Sequence, residues 1–433
     1  MDLCDVSNDK TAVALAREVV SLLEKFSVTP EKLVAQTYDG AHVMSGVAGG
    51  TQAIVKKLYR DADYIHCKAH VLNLVLLHAC NYQDTRKFLT TLSTLASFFT
   101  QSPKRDSELK NYIQRKIPNV CKVKWAYTSR MVNIVEAHYS ELTTCLGEMY
   151  LGNVKWDGET CSLARGLHSF MLEFDTIFYL KVFSAVFSFT DILYQTLQTK
   201  ELDYIECGKS VRNTRENISN LQTDKKYKAI WQECLEITGE TYDGNRYDQY
   251  FKKYNAVITR IISEFDQRFA DLNKRSYLSL LDCSKFSGYC EQFPKDLVDA
   301  ICSRYTGFDK VKLGNELKVF YSKEEFSGKK VPEIMQILME KNLEDIFSEI
   351  SRLVRLVLTL PSTTASVERS FSILRRLKSY LRSTMGDNRL KWLMLMAVES
   401  SLLHKLQHQS GFSDEIIDRF ARRADRRIPL LYK

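Results

Sequence analysis

The sequence predicts a mostly helical α/β protein, and three observations carry that reading. The 433 residues include only 7 Pro and 17 Gly, so tight turns are few and long helices are favoured over a many-stranded sheet. Helical and extended patterns alternate from Thr11 to Leu77, as they do in an α/β unit. From about Ser129 to Ser351 nearly every stretch repeats at helical spacing, as an all-helical block would.

Each element follows from its own pattern. Thr11 to Phe26 carries Val13, Ala16, Val19, Val20 and Leu23, a helix with one buried stripe. After a turn at Thr29 and Pro30, Leu33 to Tyr38 is a short apolar run ending on Asp39 and Gly40, which suits a strand entering a loop. Ala41 to Tyr59 reads as helix and Tyr64 to Cys67 as extended, and a helix starts near Ala69 with Leu72, Leu74, Val75, Leu76 and Leu77. Asp84 to Ile117 is helical again, and Val120 to Tyr127 fits a strand. Phe170, Phe174, Phe178, Phe183, Phe187 and Phe189 form an aromatic stripe of the kind that fills a core. The most apolar stretch, Phe170 to Leu197, is interrupted by Glu173, Asp175, Lys181 and Asp191. It is a buried or amphipathic helix pair and not a membrane span. Leu353 to Leu360 fits a strand or a helix. Ser362, Thr363 and Thr364 then offer N-caps to a basic amphipathic helix. A last helix runs from Arg389 to His404, with Leu390, Leu393, Met394, Ala397 and Leu402 apolar.

Composition narrows the function. Hydrophobic residues make up 45% and charged residues 26%, enough to bury a core, so disorder is not the expectation. Lys and Arg number 61 against 53 Asp and Glu, a net charge of +8, which is a mild bias towards polyanions. The excess gathers between Pro361 and Leu395, where Arg369, Arg375, Arg376, Lys378, Arg382, Arg389 and Lys391 face only Glu368 and Asp387. Arg419, Arg422, Arg423, Arg426 and Arg427 make the tail basic too, as a solvated face would be. The 11 Cys are odd in number and lack a CxxC pair, which reads as reduced cysteine and not a disulfide framework. The start, MDLCDVSNDK, is polar and acidic, unlike a signal or transit peptide.

Three blocks, in order, resemble the hAT superfamily of DNA transposases. They are TYDGAHVMSGVAGGTQAIVKK with IHCKAHVLNLVL, then KVKWAYTSR, then LPSTTASVERSFSILRRLKSYLRSTMGDNRLKWLMLMAVES. The long helical region between the second and third matches the family's all-α insertion, so the resemblance spans nearly the whole chain. It implies an incomplete ribonuclease H-like core interrupted by a large all-α insertion. The implied parts are an N-terminal piece of the core (1–130, first strands missing), the insertion (131–345), the rest of the core with a dimerisation region (346–405) and a basic tail (406–433).

The family uses an Asp, Asp, Glu triad to hold two divalent ions for phosphodiester cleavage. Carboxylates suit that task because Mg²⁺ prefers hard oxygen ligands. By position Asp39 matches the second Asp, and Glu368, within Ser366-Val367-Glu368-Arg369, matches the Glu. Each has a plainer reading: Asp39 before Gly40 is a good turn residue, and Glu368 near a helix start offsets the helix dipole. The first Asp has no match. Asp2, Asp5 and Asp9 precede a helix with no hairpin after them, so metal binding at Asp39 and Glu368 is expected to be weak.

Cys67 and His70 match the family's CxxH element. Zinc would need a second ligand pair, and only His66 and His78 lie near, so a structural role is preferred. Lys124-Trp125 stands where the family often has Arg-Trp, an aromatic expected to stack on DNA, although a core Trp fits as well. With Arg369, Arg375, Arg376 and Lys378, these are the candidate DNA contacts. Leu390, Leu393, Met394 and Ala397 are the candidate dimerisation residues. The expectation is a transposase-derived, catalytically inactive nuclear (otherwise cytoplasmic) protein. It forms a homodimer or higher oligomer, binds DNA weakly and needs no cofactor and no membrane. The rival is an active transposase using Mg²⁺, with its first part supplied elsewhere.

Overall fold

The computed structural model describes residues 4–118, 125–152, 156–200, 202–379 and 385–422. They divide into two compact units, one of Met1–Ser27 with Ala365–Lys433, the other of Val28–Thr364.

The smaller unit starts with α1 (Ala12–Lys25), whose N-cap Thr11 accepts a hydrogen bond from the Ala14 amide at 3.3 Å. The expected buried stripe is only partly realised. Ala16 is buried, Val19, Val20 and Leu23 are half-buried, and Val13 is exposed.

The larger unit opens on two strands, β1 (Ala35–Tyr38) and β2 (Asp63–His66), paired in parallel with Ala35 opposite Asp63 and Tyr38 opposite His66. A parallel pair needs a crossover, and here α2 (His42–Ser45) and α3 (Thr51–Leu58) supply it. The single helix expected over Ala41 to Tyr59 therefore breaks in the middle. The reason is backbone packing between Gly46 and Gly50: a Cβ on Gly50 would lie 2.4 Å from the Gly46 nitrogen, so only glycine allows the approach. Among the described residues the sheet has these two strands alone. The mostly helical reading holds; a ribonuclease H-like sheet is not seen.

Among the described residues, helices follow without interruption by strand. The nearly all-apolar α4 (Lys68–Ala79) buries Ala69, Val71, Leu72, Val75 and Leu76. The stretch expected as helix over Asp84 to Ile117 divides at Ser102-Pro103 into α5 (Gln83–Thr100) and α6 (Pro103–Leu109), because proline suits the first turn of a new helix. Of the strand expected over Val120 to Tyr127, residues 120–124 lie outside the described residues, and the remainder opens the helix α7 (Trp125–Ala137). Thr128, Met131, Val132 and Val135 are buried at helical spacing there, which a strand could not achieve.

After α8 (Tyr139–Leu151) and α9 (Gly158–Leu172), Glu173 interrupts the chain and α10 (Phe174–Leu197) begins. By length and apolarity α10 could cross a membrane. Instead it is the central helix of the unit, packed against α7 and α9 and against α11 (Tyr204–Ser219) and α12 (Asp224–Thr238). Phe178, Phe183 and Phe187 are fully buried on it, as the aromatic stripe predicts. Then come α13 (Gly244–Arg268), a 3₁₀ stretch (Ala270–Leu281), α14 (Phe286–Glu291), α15 (Lys295–Arg304), α16 (Lys310–Tyr321), α17 (Val331–Glu340) and α18 (Ser348–Thr359). The last settles the Leu353 to Leu360 run as helix.

Two cores hold this unit. One joins α4 and α5 to α10 and α13, the other joins the 3₁₀ stretch and α16 to α18. The first includes residues on both sides of residue 130 and the second residues on both sides of residue 345. The smaller unit resumes with α19 (Ala365–Leu377), α20 (Asp387–Val398), α21 (Ser400–Gln407) and α22 (Phe412–Ala421). The helix expected from Arg389 to His404 is interrupted at Glu399 (φ −95°, ψ 32°).

Candidate functional site

The end of the strand pair carries three of the residues that the sequence singles out, Asp39, Cys67 and His70. Asp39 leaves β1 exposed, and its carboxylate accepts the Ala41 amide at 3.2 Å, the turn role open to an Asp before glycine. Gly40 passes so close to His66 and His70 that a Cβ there would lie 3.0 Å from the Nε2 of each. The Nε2 of His66 is buried without a hydrogen-bond partner. Burial first, then the His70 and Lys68 charges, push this imidazole down to about 4, so it is neutral near pH 7.

Cys67 and Lys68, at the junction of β2 and α4, act as a clamp. The fully buried Cys67 Sγ accepts the Thr364 amide at 3.2 Å and the Thr364 hydroxyl at 3.1 Å. The Lys68 amide donates to the Ser362 carbonyl at 3.0 Å. Cys67 thus holds the Ser/Thr-rich loop that leads to Ala365. Among the described residues no group of three or more His, Cys, Asp or Glu side chains is placed to hold a metal ion. Asp39 belongs to the larger unit and Glu368, exposed in the first turn of α19, to the smaller.

The same edge carries charges that sequence reasoning missed. The Lys68 side chain is fully buried and paired with Asp271; burial pulls its pKa down and Asp271 opposes that. Asp63 on β2 takes Lys56 at 2.6 Å and Arg304 at 2.8 Å, with the buried Arg275 at 3.7 Å. Burial alone would raise the Asp63 carboxyl, but its bonds to Lys56 and Arg304 outweigh that and lower it. These pairs tie the strands to the 3₁₀ stretch and α15. No local pattern announces them, because the partners lie far apart in sequence.

Of the expected DNA contacts, Arg375, Arg376 and Lys378 are exposed at the end of α19 and Arg369 is half-buried. Lys124 lies outside the described residues, and Trp125 opens α7. Of the expected dimerisation residues, Leu390 and Met394 are buried (5% and 2% exposed), while Leu393 and Ala397 are half-buried. The apolar side chains that do face outward are others. They are Val367 and Phe371 on α19, Trp392 and Met396 on α20, and Leu402 on α21. Each of the first two pairs is spaced i, i+4 and so shares one helix face; this spacing was the signal available for Trp392 and Met396.

Comparison with known proteins decides what this part is. Residues 320–402 match the hAT family C-terminal dimerisation region. This stretch is similar to a hAT dimerisation region. The matched stretch takes in α17, α18, α19 and α20 whole. The chain is also similar to the 52 kDa repressor of the inhibitor of the protein kinase from Homo sapiens, 23% identical over 425 residues, covering 89% of this chain and 55% of the relative. The Mus musculus protein of the same name is 23% identical over 427 residues, covering 89% and 56%. The chain thus spans just over half the length of these curated relatives. The resemblance to hAT proteins read from the sequence is sustained at its third block, which lies within residues 320–402.

Proposed function

We propose that this is a transposase-derived, non-cleaving protein that dimerises through its hAT region and associates weakly with DNA in the nucleus. One observation carries the reading. Within the stretch similar to a hAT dimerisation region, Phe371 and Trp392 stand about 60% exposed (61% and 59%) while Leu390 and Met394 of α20 are buried. Exposed apolar surface costs roughly 25 cal/mol per Å², and a second copy offers a self-complementary patch that covers it.

The DNA part rests on Arg375, Arg376 and Lys378, which are placed to meet phosphates without reading bases. The non-cleaving part rests on Asp39, whose carboxylate serves a turn with no second and third acid gathered beside it among the described residues. A regulatory role without catalysis also accords with relatives named as repressors.

Light scattering tests the dimer. The parent chain should run as a dimer or larger, and Trp392→Lys with Met396→Lys should give a monomer with unchanged circular dichroism. A parent chain that stays monomeric at high concentration overturns the reading. Incubation with duplex DNA and Mg²⁺ or Mn²⁺ tests the absence of cleavage; nicking that disappears in Asp39→Ala would sink that claim.

A further inference from the structure

A second basic site lies in the larger unit, well away in sequence from α19. A cavity of about 560 Å³ opens beside α7 and α10, within the range of roughly 300–1,000 Å³ typical of ligand sites. Arg115 and Lys116, from the segment after α6, line it together with Arg130, Asn133 and His138 from the α7 side and Asp191 from α10. Arg115, Lys116 and Arg130 are all exposed. None of the three is ion-paired with a carboxylate among the described residues.

Asp191, the acid lining the cavity, is already engaged. Its Oδ2 accepts the Ser129 hydroxyl at 2.5 Å and the Asn133 amide at 3.2 Å, and burial holds its carboxyl above the ordinary range despite those bonds and the nearby Arg130. It therefore offsets the three cations incompletely. Like charges around one concavity repel each other, and a concave low-dielectric wall concentrates their field on whatever anion enters. The guanidinium fork of Arg matches phosphate oxygens in pairs.

We propose that this cavity, bounded by Arg115, Lys116 and Arg130, is a phosphate-binding subsite for a nucleic-acid strand. The cations stand exposed at its edge and not sealed inside. That arrangement suits a polymer whose successive phosphates run across the opening better than a small metabolite enclosed on all sides. The inference rests on the DNA association proposed above, but it assigns contacts to the all-helical part of the chain in addition to α19.

The test uses the full chain and labelled single-stranded and duplex oligonucleotides, with polarisation read across a salt series. Arg115→Gln, Lys116→Gln and Arg130→Gln together should weaken binding by roughly tenfold or more. They should also make the salt dependence shallower by about two to three phosphate contacts. All three side chains are exposed, so the melting profile should not move; Lys116→Glu alone is a second variant that should weaken binding in the same direction. Unchanged affinity and salt slope in both folded variants overturns the subsite. If Arg375→Gln with Arg376→Gln abolishes binding while the cavity variants do not, the subsite falls and the DNA association stands. If the parent chain binds no oligonucleotide, both fall. Tripolyphosphate is the competitor. If it displaces the oligonucleotide from the cavity at equal phosphate concentration, the site takes small phosphates and the strand assignment is overturned. Much weaker competition supports the strand.

Discussion

The two units spend their apolar residues differently. In the larger unit nearly every long helix turns a face into one of two cores, and α10 alone buries Phe178, Phe183 and Phe187 completely. In the smaller unit α1 buries Ala16, α19 buries Ala365 and α20 buries Leu390 and Met394, while α21 and α22 bury nothing. Yet the smaller unit is not polar: Phe371, Trp392, Met396, Leu402, Ile416 and Phe420 all stand largely exposed. The same chemistry that stabilises one unit from within is left on the outside of the other. Equivalent substitutions should therefore damage folding in the first and association in the second.

The largest effect expected is in the first core. Phe187→Ala should destabilise the larger unit by about 3–5 kcal/mol, the cost of a buried aromatic and the cavity it leaves. A denaturant melt with a shift under a third of that would mean the core is looser than its burial implies. Next comes the buried charge. Lys68→Ala removes the partner of Asp271 from a site without water on the lysine side, and should cost about 2–3 kcal/mol, less than a fully buried pair because Asp271 keeps some exposure. Lys68→Met should restore much of the loss, since a shape-matched apolar side chain avoids burying the ammonium group. If the two variants melt alike, the pair is not the reason the lysine is there.

His66 gives a smaller effect with a defined sign. Its pKa is about 4 in the folded chain against an ordinary 6.5, so the unfolded chain binds the proton more readily. Stability is full above pH 6.5 and is lost progressively as pH falls towards 4. His66→Asn should flatten the stability profile across that window; an unchanged slope would show that other groups control it. The smallest effect on folding belongs to the smaller unit. Trp392→Lys should alter the stability of the isolated chain by no more than about 0.5 kcal/mol, while shifting light scattering towards monomer. A large loss of folding there would erase the contrast between the units.

Much of this arrangement is legible in one sequence, for identifiable reasons. Leu33 to Tyr38 and Tyr64 to Cys67 are short apolar runs next to turn residues, and both contain strands. The aromatic stripe from Phe170 marks the central helix because its spacing and length leave little choice. The breaks were harder to read. Gly46 and Gly50 interrupt an apolar helical pattern through a backbone approach that periodicity does not register. The face of α20 was hardest: Leu390, Trp392, Leu393, Met394 and Met396 surround the helix with apolar groups, so spacing shows that Leu390 and Met394 share a side but not that this side points inward. The Lys68–Asp271 and Asp63–Arg304 pairs have no local signature at all, since each depends on two segments meeting late in the chain.

The Cys67 clamp has a consequence for the order in which the protein can be made. Cys67 and Thr364 are 297 residues apart, and Lys68 and Asp271 are 203 apart. On a ribosome the strand pair is made well before Asp271, and before Thr364, which follows the whole helical block. The nascent chain holds a lysine not yet paired with Asp271 while the intervening 203 residues are made, and an unfinished sheet edge over the 297 residues to Thr364. Non-local closure of this kind is slow and exposes sticky surface in the interval. The two strands are made long before their surroundings are finished, and a holdase during synthesis should raise the yield of folded protein more than any later refolding step.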